Sequence, residues 1–347
     1  MISKREKQIL LFFLKDKNKK NWFQIIKEFT NLFISKKELP LYYISNLLYR
    51  KNVSNYKDYI SLKENNRLLA WSYSHAKEQI VLAENKLLFK ELLVKNNIST
   101  PQIFFHNSKN IFTYKSDVFK IETKNDFSSF LEKVFYKEKI AYLFCKPIDG
   151  GMGQNIFIID RNTHRKIATD LINLVFSNDF IFQELILQHE VLKKINSSSI
   201  NTLRILTYKN KKNEVEILSG FIRVGRKGAI VDNAHAGGIV VPFNIESGKM
   251  YAEGLQLIDN GGGTFYKHPD TGIIFDNFQI PHYIQVKKIV TEASSLFKLP
   301  FLGWDVAITP NGPVIVEVNH DFHLLLSDRM EKGLKRIPSF KKLFEQI

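Results

Sequence analysis

The chain has 347 residues, of which 44% are hydrophobic, and a formal net charge of +15. This length suffices for one large hydrophobic core or a few small ones, and the apolar runs are far shorter than the ~20 residues of a membrane-spanning helix. A single cysteine, Cys145, excludes an intrachain disulfide framework and a cysteine-based zinc site, so a cytoplasmic location is expected.

The basic residues are concentrated near the start of the sequence. The first 60 residues hold 13 Lys and Arg residues against five Asp and Glu residues, a net charge of +8. Such a segment can contact nucleic acid, an anionic membrane surface or a polyanionic substrate. A solvated lysine-rich surface is the favoured interpretation, and weak peripheral association with the inner face of a membrane is the alternative. Nucleic-acid binding is not expected, because the sequence carries no helix-turn-helix, zinc-finger or RNA-binding signature.

Residues 1–80 are predicted to form a basic helical region. Apolar residues recur there every three or four positions, which is the spacing of one helix face. They are Trp22, Ile25, Ile26, Phe29, Leu32 and Phe33. This stripe favours a core or a docking face over a membrane anchor. A second helical stretch is predicted at about residues 67–94, and it ends before Pro101.

The pattern changes to short β-strand runs from Ile103 onward. The predicted elements are then a helix at 127–135, a strand, glycine loop and strand at 142–160 (YLFCKPIDGGMGQNIFIID), strands at 180–186 (FIFQELI) and 200–208 (INTLRILTY), a hairpin turning near 225–228, and a helix at 282–298. Cys145 is predicted to lie in the core. The order of elements indicates an α+β fold with antiparallel sheets, because a regular alternation of strands and helices is missing.

Residues 303–321 (GWDVAITPNGPVIVEVNHD) are predicted to form a β-hairpin that turns at Pro-Asn-Gly. A three-residue loop with its glycine in the left-handed region pairs Thr309 with Pro313 and Asp305 with Glu317. A two-residue loop would place the two carboxylates on opposite faces. The three-residue loop is favoured because it gives one wholly apolar face, and a slip of one residue would mix the faces.

The favoured register sorts the side chains of this hairpin into two faces. The apolar face holds Trp304, Val306, Ile308, Val314, Val316 and Val318, and the other face holds Asp305, Ala307, Thr309, Ile315, Glu317 and Asn319. Two carboxylates and an amide on a rigid sheet suit a hard cation such as Mg²⁺, whose remaining ligands are phosphates and water. The predicted metal ligands are therefore Asp305, Glu317 and Asn319. An ordinary solvated polar face is the alternative.

A glycine-rich loop follows Lys146, which lies at the end of a predicted strand. Gly150, Gly151 and Gly153 allow backbone N–H groups to close over an anion, and a lysine beside such a loop is a natural phosphate ligand. The loop is not a Walker motif, because no Gly-Lys-Ser/Thr follows, and it lacks the helix of a dinucleotide fingerprint. A purely structural turn is the alternative.

A series of motifs in order between residues 82 and 319 carries a family resemblance. The motifs are ENKLLFKELLVKNNISTP, FCKPIDGGMGQN, FQELILQHE, SINTLRILT, VDNAHAGGIVVPFNIESGKM, KHPDTG and GWDVAITPNGPVIVEVN. With them the chain resembles the ATP-grasp superfamily, and within it the sugar-transfer-associated branch, which is related to alpha-L-glutamate ligases. The resemblance implies an ATP-grasp fold of two subdomains, at 81–185 and 186–330, that clamp ATP. The helical region at 1–80 lies outside the resemblance, and residues 331–347 form a tail.

The resemblance implies a role for several residues around ATP and Mg²⁺. The implied nucleotide contacts are Lys86 and Lys146 to the phosphates, Gly150, Gly151 and Gly153 as a flap, Glu184 with the backbone of Leu185 and Ile186 to the base, and Glu190 to the ribose. Asp305, Glu317 and Asn319 would hold Mg²⁺. Arg204, together with Lys146, would stabilise the charge of the transferred phosphoryl group. A structural ion pair is the alternative for Arg204.

The substrate is implied to lie near the segment DNAHAGG at 232–238, whose glycines can offer N–H groups to an oxyanion. Ordinary turn chemistry explains the same composition equally well. The implied substrate-binding residues are Asn201, Asp232, Asn233, His235, Gly237, Gly238 and His320. After the position of Asn319 the family often continues with a loop that contains Pro and Gly, whereas this chain has HDFHLLLSD.

The function implied by the resemblance is that of an ATP-dependent carboxylate–amine ligase, with ATP and Mg²⁺ as cofactors. In this reaction a carboxylate attacks the γ-phosphate of ATP, and an amine then displaces phosphate from the acyl phosphate. The expected partners are a small-molecule carboxylate and an amine acceptor, such as an amino sugar in the biosynthesis of a cell-surface polysaccharide. The alternatives are an ATP-grasp kinase acting on a sugar or polyol, and a basic regulator that binds nucleotides or nucleic acid.

Overall fold

The computed structural model describes residues 4–149, 154–226, 228–229, 232–322 and 324–346. The α-helices in these ranges are α1 (Lys4–Lys15), α2 (Trp22–Lys36), α3 (Leu41–Ser45), α4 (Leu62–His75), α5 (Glu78–Glu84), α6 (Lys86–Lys95), α7 (Lys124–Glu138), α8 (Thr169–Ser177), α9 (Glu190–Lys193), α10 (Tyr283–Ser295), α11 (Leu324–Met330) and α12 (Pro338–Gln346). The strands are β1 (Ile103–Ser108), β2 (Ile111–Tyr114), β3 (Asp117–Lys120), β4 (Tyr142–Pro147), β5 (Phe157–Asp160), β6 (Phe180–Gln183), β7 (Leu203–Lys209), β8 (Val215–Val224), β9 (Ile239–Pro242), β10 (Gly254–Gln256), β11 (Thr264–Phe265), β12 (Phe301–Thr309) and β13 (Gly312–Asn319). Within the described ranges, no helix has both the length and the apolar character that crossing a bilayer requires.

The helices α1 to α3 share a small hydrophobic core of their own. Asn21 begins α2, because its side chain accepts a hydrogen bond from the backbone N–H of Gln24 at 2.8 Å. The helix then buries Ile25 and Leu32 against Tyr43 of α3. The first part of the chain is therefore helical, as its apolar periodicity predicts.

The helical stretch predicted at 67–94 is wrong in its continuity, since the chain forms α4, α5 and α6 there. The last break, between α5 and α6, is at Asn85. Its side chain accepts hydrogen bonds from the backbone N–H groups of Leu87 and Leu88 at 3.0 and 3.1 Å, which starts a new helix. As a result, Lys86 is the first residue of α6.

The first sheet is antiparallel, with the strand order β3-β2-β1-β6-β4-β5 among the described residues. Helices α7 and α8 cover one face with a phenylalanine-rich core, in which the rings of Phe105 and Phe182 stack with centroids 4.2 Å apart. Cys145 is buried in this core, as predicted. Side chains alternate along a strand, so the next residue of β4, Lys146, is on the opposite face of the sheet.

The second sheet is also antiparallel, with the strand order β11-β10-β9-β8-β7-β12-β13 among the described residues. The predicted hairpin near residues 225–228 is wrong, because β8 pairs with β9, which begins only at Ile239. Gly225, directly after β8, is closely packed. A Cβ atom at Gly225 would lie 2.2 Å from the Oγ of Ser199, so the backbone there is pressed against a neighbouring loop.

The predicted hairpin is formed by β12 and β13, but its loop differs from the prediction. Thr309 pairs with Gly312, not with Pro313, so the loop has two residues and the predicted three-residue loop is wrong. Asp305 nevertheless pairs with Glu317, as predicted. Both observations hold because the register shifts by one residue between the loop and this pair.

The register shift is a β-bulge, and it changes which side chains face the core. Val306 pairs with Ile315, so Val316 is the extra residue between this pair and the pair of carboxylates. Ile315 is buried in the main core beside Val306, whereas Val316 is only half-buried. The predicted faces are therefore wrong for Val314, Ile315 and Val316, because a bulge inverts the alternation of the residues on one side of it.

Candidate functional site

A cleft of about 750 Å³ lies between the two sheets. The first sheet contributes Lys146 of β4 and Phe157 of β5 to its lining. The connection from β6 to the second sheet contributes residues 185–188. On the second sheet, the lining includes charged side chains from β7, β8, β12 and β13, which are Arg204, Arg223, Asp305 and Glu317. The cleft thus brings together charged groups from both sheets.

A row of charged side chains crosses three neighbouring strands of the second sheet. Asp305 of β12 pairs with Arg204 of β7 on one side and with Glu317 of β13 on the other. Residues in directly paired positions share a face of the sheet, so the register alone brings the three groups together. The Nε of Arg204 lies 2.7 Å from Oδ1 of Asp305, and both side chains are buried. Burial lowers the pKa of Arg204 from its usual value, although the Asp305 carboxylate opposes this shift.

A second arginine, Arg223 of β8, binds the same carboxylate. Its Nη2 lies 2.9 Å from Oδ2 of Asp305, so Asp305 bridges two guanidinium groups. The Nε of Arg223 also donates to Oγ1 of Thr202 at 3.0 Å and lies 3.8 Å from Oδ2 of Asp232. Although burial lowers it, the carboxylates of Asp305 and Asp232 raise the pKa of Arg223 above its usual value. Charge-assisted contacts of this kind fix the positions of both ions.

Asp232 lies at the edge of this network and is held by Thr202. Its Oδ2 accepts hydrogen bonds from the backbone N–H of Thr202 at 2.7 Å and from its hydroxyl at 2.5 Å. Burial raises the pKa of the Asp232 carboxyl, while Arg223 and the bonds from Thr202 lower it. The segment that follows β8 is therefore tied to the start of β7 and to the arginine pair.

Lys146 faces this network from the first sheet. Its side chain is buried, and burial lowers its pKa to about 8. The carboxylates of Glu317 and Asp305 favour its charged form, and Lys86 disfavours it. Lys86 itself is buried, and its Nζ donates to the carbonyl of Ile148 at 2.9 Å, which fixes the chain just before the glycine-rich segment. The two lysines are thus close enough to interact electrostatically, and only Lys146 lines the cleft.

The predicted metal ligands lie together on the hairpin and offer a suitable set of donors. Asp305 and Glu317 are paired, and Asn319 is two residues further along the same strand, paired with Gly303. The Nδ2 of Asn319 is 3.4 Å from the carbonyl of Gly303, which leaves its amide oxygen as the donor for a cation. Within the described ranges no group of three His, Cys, Asp or Glu residues is arranged to hold a metal. A cation here would therefore depend on the amide of Asn319, and three oxygen donors fit Mg²⁺.

Two of the predicted base contacts line the cleft, and two of the predicted carboxylates do not. Leu185 and Ile186 belong to the lining. Glu184 is exposed, and its Oε2 accepts from the backbone N–H of Gln102 at 3.3 Å, outside the cleft. Glu190 is exposed as well, and binds Lys193 at 2.6 Å. The alternation of side chains explains the position of Glu184, which directly follows a strand whose Gln183 points inward.

The predicted substrate residues divide in the same way. Asp232 and Asn233 line the cleft. Asn201 is fully buried outside the lining, where its side-chain amide donates to the carbonyls of Leu192 and Asn196 at 3.1 and 3.0 Å. These bonds give Asn201 a structural role.

His320 is also outside the lining of the cleft. Its ring contacts the hydroxyl of Tyr73 at 3.1 Å and Oε1 of Glu84 at 2.9 Å, so it joins the end of β13 to α4 and α5. Gly238 is required by close packing, because a Cβ atom there would lie 2.4 Å from the carbonyl oxygen of Asp232. Gly237, with a φ of 95°, adopts the left-handed backbone that favours glycine.

Some predicted residues lie outside what the structure describes. Gly150, Gly151 and Gly153 are in the undescribed segment 150–153. His235 is part of a short 3₁₀ turn at Ala234–Ala236, but its side chain is not described.

Sequence reasoning missed Arg223, Thr202 and the serine loop at 197–199, all of which line the cleft. A signal for Arg223 is present. It is an isolated arginine within the apolar strand SGFIRV, as Arg204 is within TLRILT, and a charged residue inside an apolar strand needs a buried partner. The serine loop has no comparable signal, because serine is ordinary loop chemistry.

Helices and two antiparallel sheets enclose a cleft that contains a buried lysine and a row of paired acidic and basic residues. This is the architecture of the ATP-grasp class. A model of one family within this class, described as sugar-transfer associated ATP-grasp, matches residues 65–337, and the chain belongs to that family. The match confirms the resemblance seen in the motifs. Proteins of the ATP-grasp class use ATP and Mg²⁺.

Solved structures of three enzymes show a distant similarity to this chain. The ATP-grasp ligase PsnB, in complex with a minimal precursor, Mg and ADP, is 12% identical with a TM-score of 0.43, over 81% of this chain and 66% of that chain. D-alanyl-alanine synthetase A from Vibrio cholerae O1 is 12% identical with a TM-score of 0.43, over 76% and 64%. N5-carboxyaminoimidazole synthase from Aspergillus clavatus is 12% identical with a TM-score of 0.42, over 76% and 53%. The chain therefore spans between about half and about two thirds of the length of these proteins. No curated protein matches the sequence.

Proposed function

We propose that the protein is an ATP-dependent ligase that joins a carboxylate to an amine. One observation carries the proposal. The cleft places Lys146, Arg204 and Arg223 around the oxygen donors of the β12–β13 hairpin. Cations beside a group of hard oxygen ligands suit a magnesium-bound polyphosphate, because the cations neutralise the phosphates and the oxygen ligands hold the metal ion.

The residues of the cleft divide the work of holding such a ligand. Asp305, Glu317 and Asn319 would hold Mg²⁺, which neutralises phosphate charge when it is bound. Lys146 contributes a positive charge from the opposite sheet. The Nη1 of Arg204 is buried without a hydrogen-bond partner among the described residues, and a buried donor of this kind favours an anionic ligand nearby.

Polar side chains in the lining of the cleft favour a polar acceptor. Lys193, Asn233 and the serines at 197–199 line the cleft and offer ammonium, amide and hydroxyl groups. Such a set suits a molecule with several hydroxyl groups, because each of its groups needs a hydrogen-bond partner when it loses water. The acceptor in this proposal is an amino sugar of a cell-surface polysaccharide, joined to an amino acid or a similar carboxylate. A place of action at the inner face of a membrane is part of the same proposal.

Trapping of the activated carboxylate tests the reaction. The protein is incubated with ATP, Mg²⁺, hydroxylamine and candidate carboxylates one at a time, and hydroxamate and ADP are measured. A ligase that proceeds through an acyl phosphate gives hydroxamate and ADP in equal amounts with its own carboxylate. The Glu317→Gln variant, which lacks one metal-binding oxygen, is the matched control and gives neither product.

A sugar or polyol kinase is the competing function, since the same polar lining also accommodates a phosphorylated alcohol. Candidate sugars and polyols are therefore added without any carboxylate. Release of ADP with a phosphorylated sugar, together with no hydroxamate from any carboxylate, would contradict the ligase and establish the kinase.

A further inference from the structure

The helix α2 carries a second apolar stripe, besides the residues that it buries, and this stripe faces the solvent. Trp22, Phe23, Ile26, Phe33 and Ile34 lie within one third of the helix circumference at 100° per residue, and all five are exposed, Phe23 by 80% and Ile26 by 62%. Surface helices of globular proteins normally turn such a stripe toward the core. A contiguous exposed apolar surface marks a site of interaction.

The inner side of α2 explains why the helix has this orientation. It buries Glu28, whose Oε2 lies 2.6 Å from the Nζ of Lys20 and 2.7 Å from the hydroxyl of Tyr43. Turning the apolar stripe inward would expose this network and break a buried ion pair, which is costly. The outward position of the stripe is therefore built into the packing of the N-terminal helices.

The neighbouring helix α1 also exposes apolar residues. Leu10, Leu11 and Leu14 are exposed on α1. Trp22 touches the ring of Phe13 edge to face, with centroids 5.7 Å apart, so the two helices are adjacent at this point. We call the exposed apolar residues of α1 and α2 the outer face. It consists of Leu10, Leu11, Leu14, Trp22, Phe23, Ile26, Phe33 and Ile34.

The exposed charges beside the outer face are mainly positive. Lys7, Lys15, Lys17, Lys27 and Lys37 are exposed around it, against one exposed acidic residue, Glu6. Two of the acidic residues of this region are already paired inside the fold, Asp16 with Arg50 at 2.7 Å and Glu28 with Lys20. Lysines that flank exposed Trp, Phe and Leu side chains are complementary to a surface that is apolar below and anionic above, which is the boundary of an anionic bilayer.

We propose that the outer face of α1 and α2 docks on a phospholipid bilayer with anionic headgroups. The aromatic and aliphatic side chains enter the boundary between headgroups and acyl chains, and the lysines contact the phosphates. The helices lie on the membrane and do not span it. Docking needs no change of fold, because every residue involved is already at the surface. The proposal gives a physical basis for the place of action at a membrane proposed above, but it rests only on residues of α1 and α2 and not on the reaction in the cleft.

Flotation with vesicles tests the proposal on the full chain. Vesicles of phosphatidylcholine alone are compared with vesicles that contain ~30% phosphatidylglycerol, at ~0.1 M and ~0.5 M salt. The protein is expected to float with the anionic vesicles at low salt and to partition more weakly onto them at high salt. Absence of binding to the anionic vesicles at low salt would overturn the proposal.

Paired variants separate the apolar and electrostatic contributions. Phe23→Gln with Ile26→Gln is expected to weaken partition by at least about tenfold, because it removes two apolar side chains that would enter the bilayer. Lys15→Gln with Lys27→Gln is expected to weaken it by about 25-fold, at about fivefold for each lysine near an anionic leaflet. Substitutions of exposed residues elsewhere provide the controls. Ile284, which is 83% exposed, is replaced in Ile284→Gln, and the exposed Lys211 and Lys212 are replaced in Lys211→Gln with Lys212→Gln.

The control variants show whether binding depends on the outer face itself. Equal losses in the control variants, or none in the α1–α2 variants, would overturn the proposal. Sedimentation of the protein without vesicles tests whether a second copy of the chain covers the outer face instead. A stable dimer that Phe23→Gln with Ile26→Gln dissociates would overturn membrane docking in favour of self-association, whereas a monomer in both cases supports it. Unchanged urea unfolding of the variants shows that the fold is intact.

Discussion

Replacing Asp305 by Asn, and separately Glu317 by Gln, removes one negative charge at each of two paired positions in the same hairpin. Both changes preserve side-chain size. Their surroundings differ, because Asp305 is buried between Arg204 at 2.7 Å and Arg223 at 2.9 Å, whereas Glu317 is half-buried at the cleft. If both carboxylates serve a cation, both variants lose ATP turnover. Only the first should also lose stability.

The magnitude follows from the number of ions left unpaired. Asp305→Asn leaves two buried guanidinium groups without their shared carboxylate, and breaking a buried ion pair in this way costs about 3–5 kcal/mol. That is a large part of a typical stability of about 5–15 kcal/mol. Glu317→Gln leaves no buried arginine unpaired and is expected to cost about 1 kcal/mol or less. Removing one of the two arginines as well, in Asp305→Asn with Arg223→Met, should restore part of the loss.

Urea unfolding measures the stabilities, and ADP release in the presence of Mg²⁺ and ATP measures turnover. Glu317→Gln is expected to unfold like the unmodified protein and to be inactive. Equal stability of the two single variants would refute the argument from the buried bridge. Retained ATP turnover in Glu317→Gln would refute the assignment of this residue to the cation.

Three further changes probe Lys146 in the cleft, the buried Asp328 of α11 and the close packing at Gly303. Lys146 loses its charge as pH rises through about 8, so kcat/KM for ATP should fall above that pH, and Lys146→Arg, which stays charged, should remove the fall. Burial raises the pKa of Asp328 to about 7, whereas an unfolded aspartate titrates near ~4. The folded state therefore holds the proton more tightly. Stability should decrease as the pH rises from about 4 to 7, and the decrease should be smaller in Asp328→Asn. Gly303→Ala places a Cβ 3.0 Å from Nη1 of Arg204, so it should cost about 1–3 kcal/mol by overpacking and lower turnover. Unchanged pH profiles, or a fully active Gly303→Ala, would contradict these expectations.

The predicted pairing of the two carboxylates in the hairpin is confirmed, because the structure places Asp305 opposite Glu317. The apolar face that favours this pairing is nevertheless wrong at Val314, Ile315 and Val316. The same reasoning misplaced the loop, since strict alternation from the turn assumes no bulge. The bulge at Val316 lets a two-residue loop coexist with the correct carboxylate pair. A bulge has no signature in the alternation of apolar residues, so the sequence alone could not reveal it.

Contacts between distant segments were the least predictable part of the site. Arg223 and Asp305 are far apart in sequence, and nothing local to either residue states that they meet. Glu184 and Asn201 show the opposite case. Both fit a binding role by type and position, but Glu184 binds the backbone of Gln102 and the amide of Asn201 holds two carbonyls. Residue type predicts the chemistry that a side chain can perform, and only the packing decides which partner it has.

The bridge at Asp305 also predicts how ligands compete in the cleft. A carboxylate held by Arg204 and Arg223 is not fully available to a cation, because binding must weaken two ion pairs. Phosphates relieve this competition, since guanidinium groups bind them strongly and release the carboxylate. Mg²⁺ alone should therefore bind weakly to the protein. Arg223→Met should increase the affinity for Mg²⁺ alone and decrease that for the nucleotide, as measured by calorimetric titration of each ligand. An Arg223→Met variant whose Mg²⁺ affinity equals that of the unmodified protein would show that the arginine does not compete for Asp305.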